Sequence, residues 1–457
     1  MEGNLTKGPI MKTLVKLAVP IMASAFLGTL YNITDMAWIG LLGSKAVAGV
    51  GVGGMFTWLS QGLASMARMG GQVQVAQCIG RGDREKAHGF AQAAVQLSAA
   101  MGIAYAVLCL IFVNQMVGFF RLEDAEAQAA ALAYTKIACG LIVFSFLTLT
   151  LTGLYTAQGD SKTPFMANLI GLMTNMILDP VFIFGLRMGI SGAAAATVIS
   201  QCVSFCILFF QCNFRKGCIR LRPGKFTPSL KIYGEILHAG LPSLCRQGLA
   251  SAAAVALNVA ANPFGDAAIA AMSIVTRYMM FINSALIGFG QGFQPVCGFN
   301  FGAKRYDRVL EAFWFCLKVA VILLTTLGVI SFFGAEAIMG LFRKGDLEVI
   351  GIGTWAMRFQ CLTLPFQAWI IMSNMLTQSI GYGFRASIVA AGRQGIFLIP
   401  ALLTLPRFLG ILGLQLCQPI ADVCTSVMAA VIVVSILKEL KVWNEEIQNL
   451  SKKTMDE

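Results

Sequence analysis

Long apolar runs alternate with short polar segments along the whole chain. A membrane-spanning helix needs about 20 mainly apolar residues, and twelve runs reach that length. They lie at 14–40, 48–78, 88–118, 130–156, 163–185, 191–212, 235–262, 268–299, 309–333, 351–379, 386–405 and 411–437. The pattern predicts an all-α integral membrane protein with twelve transmembrane helices, several of them long enough to tilt in the bilayer.

The composition supports the membrane class. Only 12% of the residues are charged, against about 25% in typical soluble domains, and the mean hydropathy is +0.73. The thirteen cysteines lie mostly inside apolar runs, and the two histidines have no neighbour at metal-ligand spacing, so we expect no resident cofactor. The net charge of +12 does not indicate a nucleic-acid partner, because the basic residues fall between the apolar runs.

The basic residues also predict the orientation of the chain. With the N-terminus inside, 22 Lys and Arg residues fall on the inner side and 6 on the outer side. Cytoplasmic loops carry such an excess, so both termini are predicted to be cytoplasmic. A dense basic segment predicts a cytoplasmic linker at 214–234. It would join a six-helix bundle at 1–213 to a second one at 235–457, which ends in a short cytoplasmic tail.

The two halves repeat at a constant offset of 222 positions. The matched pairs include Pro20 with Pro242, Gly43 with Gly265, Gly70 with Gly292, Gln72 with Gln294, Gly80 with Gly302 and Gly159 with Gly381. Because each half holds an even number of helices, both have the same orientation, and their pseudo-twofold axis runs along the membrane normal. Two parallel bundles are the layout of an alternating-access transporter.

An acid and a proline interrupt the fifth apolar run, in NMILDPVFIFG at 175–185. A charged side chain at bilayer depth is costly and usually faces a cavity or a partner. Asn175 precedes Asp179 by one turn, so both project from one helix face. Pro180 has no N–H, so we expect a bend and a carbonyl without its helical partner. These hard oxygen ligands suit Na⁺, and a buried carboxylate also suits a proton carrier.

Several motifs resemble those of the multidrug and toxic compound extrusion (MATE) family. The segment GFGQGFQPVCGFNFGAKRYDRV at 288–309 is similar to the family's eighth helix and following loop, and MARMGGQVQVAQCIGRGDREKA at 66–87 is its first-half counterpart. GLYTAQGDSKTPF at 153–165, LDPVFIFG at 178–185 and QPIADV at 418–423 also fit. The resemblance covers nearly the whole chain and implies twelve helices in two six-helix bundles.

The resemblance carries functional expectations with it. Exporters of this family exchange an incoming proton or sodium ion for an outgoing drug-like, usually cationic, molecule. The acidic first helix and the LDP motif resemble the DinF-like prokaryotic branch, which has a cation site in its N-terminal bundle. That implies a site for H⁺ or Na⁺ at Asp35, Asn175, Asp179 and Thr197. Pro20 matches a family proline associated with bending of the first helix.

Local spacing agrees with a shared site. Tyr31 and Asp35 lie one turn apart in the first span, and Thr197 lies in a small-residue segment that permits close helix approach. If the first, fifth and sixth spans pack together, Asp35 and Asp179 share a pocket in which both cannot easily ionise. Binding one cation would relieve that repulsion. Tyr31 is a candidate for the substrate cavity, with plain core packing as the alternative.

The second half departs from other branches of the family, some of which carry an acid soon after GLP in the seventh helix. Here GLPSLCRQGL at 240–249 has Arg246 and no acid. Leu257 and Ala401 stand where the repeat would place equivalents of the two acids. We therefore expect no matching cation site in the second bundle. Asp422 remains as a weaker candidate, and a structural hydrogen-bonding role is the simpler interpretation.

The predicted function is secondary active multidrug efflux by a monomer in the prokaryotic plasma (inner) membrane, not enzymatic catalysis. Cationic or amphipathic organic compounds would leave in exchange for H⁺ or Na⁺. One alternative is a lipid-linked oligosaccharide flippase of the wider superfamily, which usually has a strongly basic cavity or additional helices. The other is a non-transporting membrane receptor. The sequence has no HExxH, GxSxG or P-loop motif of an enzyme.

Overall fold

The chain folds into long helices joined by short turns. The computed structural model describes residues 5, 8–122, 124–214, 221, 229–343 and 345–456. The first seven helices are α1 (Ile10–Gly40), α2 (Ser44–Gly80), α3 (Arg84–Gly118), α4 (Ala125–Gly140), α5 (Val143–Ala157), α6 (Lys162–Pro180) and α7 (Ile190–Phe214). The next seven are α8 (Leu230–Ala261), α9 (Asp266–Gly302), α10 (Tyr306–Phe342), α11 (Leu347–Ser379), α12 (Gly383–Ala391), α13 (Leu398–Leu409) and α14 (Ile411–Asp456).

The prediction of an all-α membrane protein is confirmed. Within the described residues no segment forms a β-strand, and nine helices are long and apolar enough to cross a membrane. The bent pair α4 and α5 makes ten when counted as one span. The two remaining predicted spans, 48–78 and 351–379, correspond to α2 and α11, which are helical over 37 and 33 residues. These two helices have a lower hydropathy than the other spans, and both carry buried polar side chains, such as Gln72 in α2 and Gln367 in α11.

Three predicted spans differ in detail from the observed helices. The predicted span 130–156 is broken into α4 and α5, which meet at 47°, directly after Gly140, a residue of low helix propensity. The predicted span 386–405 is divided into α12 and α13 by a π-helical turn, Gly392–Ile396. The last helix, α14, continues to Asp456, well beyond the predicted end at 437.

The chain divides into two compact units near its middle. The first comprises Lys16–Gly240, and the second comprises Leu241–Glu457 together with residues 8–15 before and at the start of α1. Within the second unit, the Arg308 guanidinium donates a hydrogen bond of 2.9 Å to the Gly8 carbonyl. The predicted linker was too long at its C-terminal end, because α8 already begins at Leu230. Its residues 215–220 and 222–228 lie outside the described part of the chain.

Aspartates begin several of the helices. The Asp83 carboxylate accepts a 3.0 Å bond from the Lys86 N–H at the start of α3. Asp124 and Asp346, which the repeat relates, do the same for α4 and α11 at 2.9 and 3.2 Å. Such caps satisfy N–H groups that a helix start leaves without partners. These loop acids therefore have a structural role.

Glycines allow the helices of the first unit to pack closely around the predicted site. A Cβ atom on Gly53 of α2 would lie 2.6 Å from the ring of Tyr134 in α4. A Cβ on Gly192 of α7 would lie 2.8 Å from the backbone carbon of Phe182. Ser204 of α7 also donates a 3.1 Å hydrogen bond to the Ala167 carbonyl of α6. The first contact joins α2 to α4, and the other two hold α6, α7 and the turn after α6 together.

Candidate functional site

The last two turns of α6 carry two of the predicted site residues. Asn175 and Asp179 are 1% and 0% exposed, and the Asn175 Nδ2 donates to Asp179 Oδ1 at 3.3 Å. The α-helical pattern stops at Pro180, and a π-helical turn, Val181–Gly185, follows. Proline removes a backbone donor and disturbs the helical ladder, which explains why the helix changes its hydrogen-bonding pattern one residue after the acid.

Two further site residues connect α1 with α7. The Tyr31 hydroxyl and Thr197 Oγ1 lie 3.0 Å apart, and Thr197 Oγ1 also donates to the Ala193 carbonyl at 3.1 Å. Tyr31 borders a cavity of about 210 Å³ formed by residues of α1, α6 and α7, such as Ser200. Helix α1 continues through Pro20. Bending at Pro20 in a second state stays a prediction.

Asp35, one turn beyond Tyr31 on α1, completes the group. Its carboxylate interacts electrostatically with that of Asp179, and Tyr31 lies in the field of both acids. Three buried oxygens, Asp35 Oδ1, Asn175 Oδ1 and Asp179 Oδ2, have no hydrogen-bond donor among the described residues. Most buried polar atoms in folded proteins are satisfied, so three unsatisfied acceptors in one group are unusual.

Helix α4 adds one polar side chain that the sequence did not indicate. Tyr134, which is 7% exposed, interacts electrostatically with both Asp35 and Asp179. It carries an aromatic hydroxyl in the small-residue run AAALAYTKIACG. Nothing local in that run, however, relates it to α1 and α6.

The group has the chemistry of a site for a small cation. It brings together carboxylate, carboxamide and hydroxyl oxygens, the ligand types that hard cations take. Two carboxylates that interact in a low dielectric are stabilised when one accepts a proton or when both face a metal cation. The described residues contain no cluster of three His, Cys, Asp or Glu side chains that would hold a transition metal.

The corresponding region of the second unit is different. Leu257 and Ala401 provide no carboxylate at the positions related to the two acids by the repeat. Asp422 of α14 is fully buried and forms an ion pair with Arg393 Nε at 2.8 Å. It also accepts hydrogen bonds from Gln367 Nε2 at 2.7 Å, Gln418 Nε2 at 3.0 Å and Thr363 Oγ1 at 3.2 Å. A carboxylate with four donors favours the structural interpretation over a cation ligand.

Comparison with protein families identifies the class of the molecule. The family model MatE matches residues 20–181 and again 242–403. The two matches start at 20 and 242 and end at 181 and 403, so both ends are 222 positions apart, the offset of the internal repeat. The matched ranges cover more than half of the chain, and the chain belongs to the MATE transporter family.

Known members resemble the chain over nearly its full length. It is 24% identical to the multidrug export protein MepA of Staphylococcus saprophyticus, over 95% of each chain, and 24% identical to MepA of Staphylococcus aureus, over 95% of each. A crystal structure of a MATE protein in the bent conformation superposes with a TM-score of 0.89 and 24% identity, covering 96% of this chain and 97% of that one.

Two other solved structures extend the comparison of folds. An outward-facing multidrug resistance MATE transporter has a TM-score of 0.88, 23% identity and coverage of 96% and 98%. A MOP superfamily transporter from Pyrococcus furiosus, described as having a binding pocket of reversed polarity, gives the same values. MATE structures have twelve transmembrane helices in two bundles, and the fold predicted from the sequence is thereby confirmed.

Proposed function

We propose that the protein is a secondary active multidrug exporter that exchanges an entering H⁺ or Na⁺ for a leaving organic compound by alternating access. The observation that carries the proposal is the group of unsatisfied acceptor oxygens on Asp35, Asn175 and Asp179. Such oxygens are costly to bury without a partner. An arriving cation, or a proton on one carboxylate, supplies that partner.

Export is coupled to ion entry because the ion and the cationic compound compete for the same carboxylates. A cationic compound bound in the first unit is attracted by the same carboxylates that hold the ion. When the ion neutralises them, the compound loses that attraction and leaves more easily. The Tyr31–Thr197 bond joins α1 to α7, so a change in the charge next to Tyr31 also changes how α1 packs. Pro20 gives α1 a weak point at which it can bend.

Relatives support the kind of cargo. MepA proteins of staphylococci, 24% identical to this chain over 95% of its length, are multidrug exporters. We extend that activity to this chain, with cationic or amphipathic organic molecules as cargo and a bacterial plasma membrane as its location. The 22 to 6 distribution of basic residues supports cytoplasmic termini, and the carboxylates of the site favour cations over the anionic lipid-linked sugars of a flippase.

Transport in proteoliposomes tests the proposal. Ethidium movement is measured under a pH gradient alone and under a sodium gradient alone, for the wild type, Asp35→Asn and Asp179→Asn. Asp307→Asn is the matched control, because Asp307 is a surface residue paired with Arg305. We expect one gradient to drive transport in the wild type and the control but not in the two site variants. Equal transport by all four proteins would overturn the proposed site.

If neither gradient drives ethidium in the wild type, lipid-linked substrates are tested next. A lipid-linked oligosaccharide that crosses the membrane would favour the flippase. A protein that moves no substrate in either direction would favour the receptor.

A further inference from the structure

A second cavity, of about 320 Å³, lies within the second unit. It is lined by residues of α8, α9 and α11 to α14, together with the π turn between α12 and α13. Four methionines contribute to this lining, at positions 272, 279, 280 and 375. Methionine is flexible and polarisable, and surfaces rich in it adapt to ligands of different shapes. The size and lining suit an organic molecule rather than an ion.

Arg246 places a positive charge on the wall of this cavity. It follows Leu230, the first residue of α8, by sixteen positions, so it lies about 24 Å along the helix at a rise of about 1.5 Å per residue. It is therefore near the middle of the span. A charged side chain at that depth is expensive, and such residues usually have a partner or a function.

The partner that Arg246 has is neutral. Its Nη1 donates to Asn374 Oδ1 at 3.3 Å, and none of the ion pairs in the described part of the chain includes it. The other arginine on the cavity wall, Arg393, is neutralised by Asp422 at 2.8 Å. Arg393 lies in the π turn and borders the cavity. The cavity thus has one positive charge that is not compensated.

A second polar group faces the same space. Asn283 of α9 is 7% exposed and borders the cavity, and its Oδ1 has no hydrogen-bond partner in the described residues. An unsatisfied buried amide oxygen and an uncompensated guanidinium on the wall of one cavity are the pattern of a ligand site. A ligand that accepts from the Arg246 guanidinium and donates to Asn283 Oδ1 would satisfy both.

The internal repeat shows that the two units have opposite charges at related positions. Arg246 corresponds to Ser24, which borders the cavity of the first unit, and Leu257, which borders the cavity of the second, corresponds to Asp35. At one related position the first unit has an aspartate where the second has a leucine. At the other, the second unit has an arginine where the first has a serine. Because the first unit has Ser24 at the related position, a six-helix bundle of this kind does not need an arginine there in order to fold.

We propose that the cavity of the second unit binds an amphipathic molecule bearing a carboxylate or similar anionic group, with Arg246 holding the anion and the methionines holding the apolar body. The inference extends the proposed export function to acidic and zwitterionic compounds. It does not depend on that function, because the site is tested by binding and not by transport.

The test uses two fluorescent probes that differ only in charge. Dansylglycine has a carboxylate and an aromatic body, and its amide has the same body without the charge. Each is titrated into purified protein in non-ionic micelles, with empty micelles as background. We expect the wild type to bind the acid at least tenfold more tightly than the amide, because hydrogen bonds to charged groups are the strong ones.

Variants then assign the preference to one side chain. Arg246→Gln is expected to bind both probes with the affinity that the wild type has for the amide, and Arg246→Lys to keep a preference for the acid. Asp35→Asn, in the other unit, should bind the acid like the wild type even if it no longer transports. Phosphatidylglycerol that displaces the acid from the wild type, but not from Arg246→Gln, would show that a lipid phosphate binds the same guanidinium.

Two results would overturn the inference. The first is a wild type that does not distinguish the acid from the amide, and this result needs no variant. The second is an Arg246→Gln protein that binds the amide normally and still prefers the acid as strongly as the wild type. Amide binding reports that the variant is folded, so a misfolded variant cannot imitate either result.

Discussion

Asp179→Asn should abolish most of the stabilisation that the coupling ion gives to the folded protein. Asp179 is fully buried, and its Oδ2 has no donor among the described residues. Asparagine has almost the same shape and keeps one oxygen ligand, so the substitution removes mainly the charge. It also removes the repulsion with Asp35, and we therefore expect the ion-free variant to be at least as stable as the ion-free wild type.

The size of the effect follows from electrostatics. Two unit charges 4 Å apart interact by about 4 kcal/mol at an effective dielectric constant of about 20. The remaining carboxamide oxygen recovers part of this, and we expect a net loss of about 2.8 kcal/mol, or roughly a hundredfold weaker binding. At an ion concentration of 100 times the wild-type Kd, the wild type gains about 2.7 kcal/mol. The variant, then at about its own Kd, would gain only about 0.4 kcal/mol.

Thermal unfolding of the purified protein in detergent measures this gain. The melting temperature is followed during a sodium titration at constant ionic strength and, separately, during a pH titration without sodium. Asp307→Asn serves as the matched control and should keep the full wild-type response. An Asp179→Asn protein whose melting temperature rises as much as that of the wild type, with either ion, would refute the assignment of Asp179 as a ligand.

Three further substitutions test the packing and hydrogen bonds around the two cavities. Gly53→Ala should lower the free energy of unfolding by roughly 1 to 3 kcal/mol, because the new Cβ would lie 2.6 Å from a tyrosine ring. Gly54→Ala is the control and should not destabilise, because nothing lies within 4 Å of its Cβ position. Equal melting temperatures for the two variants would contradict the close approach at Gly53. Tyr31→Phe loses the 3.0 Å bond to α7 and should cost about 1 kcal/mol in denaturant unfolding, and an unchanged midpoint would count against that bond. Asp422→Ala leaves the partly exposed Arg393 without its ion-pair partner and should cost about 3 kcal/mol. A loss in melting experiments that corresponds to less than about 1 kcal/mol would mean that the pair is not stabilising.

Hydropathy was sufficient to predict the helices, because a lipid environment allows few alternatives to a helix of about 20 residues. It was not sufficient for the break between α4 and α5 or for the π turns. These depend on how a helix packs against its neighbours, and a single glycine or proline only makes them possible. Pro180 lacks a backbone donor, and the helical pattern changes directly after it, whereas α1 continues through Pro20.

The same distinction holds for the candidate site. The pair Asn175 and Asp179 was predictable because both lie on one helix, one turn apart. The contact of Tyr31 with Thr197 joins helices 166 positions apart in the sequence, so only the family resemblance related Thr197 to the site. Tyr134 was missed because α4 approaches the acids through packing that no local pattern encodes.

Counterflow of ion and compound in sealed vesicles is the direct test of exchange. The protein is reconstituted into sealed vesicles, an ethidium gradient is imposed with no ion gradient, and the internal pH and sodium concentration are followed by fluorescent reporters. We expect ethidium moving down its gradient to drive one of the two ions in the opposite direction, and we expect Asp35→Asn and Asp179→Asn to abolish this ion movement. Ethidium that crosses through the protein with no opposing flux of either ion would contradict exchange.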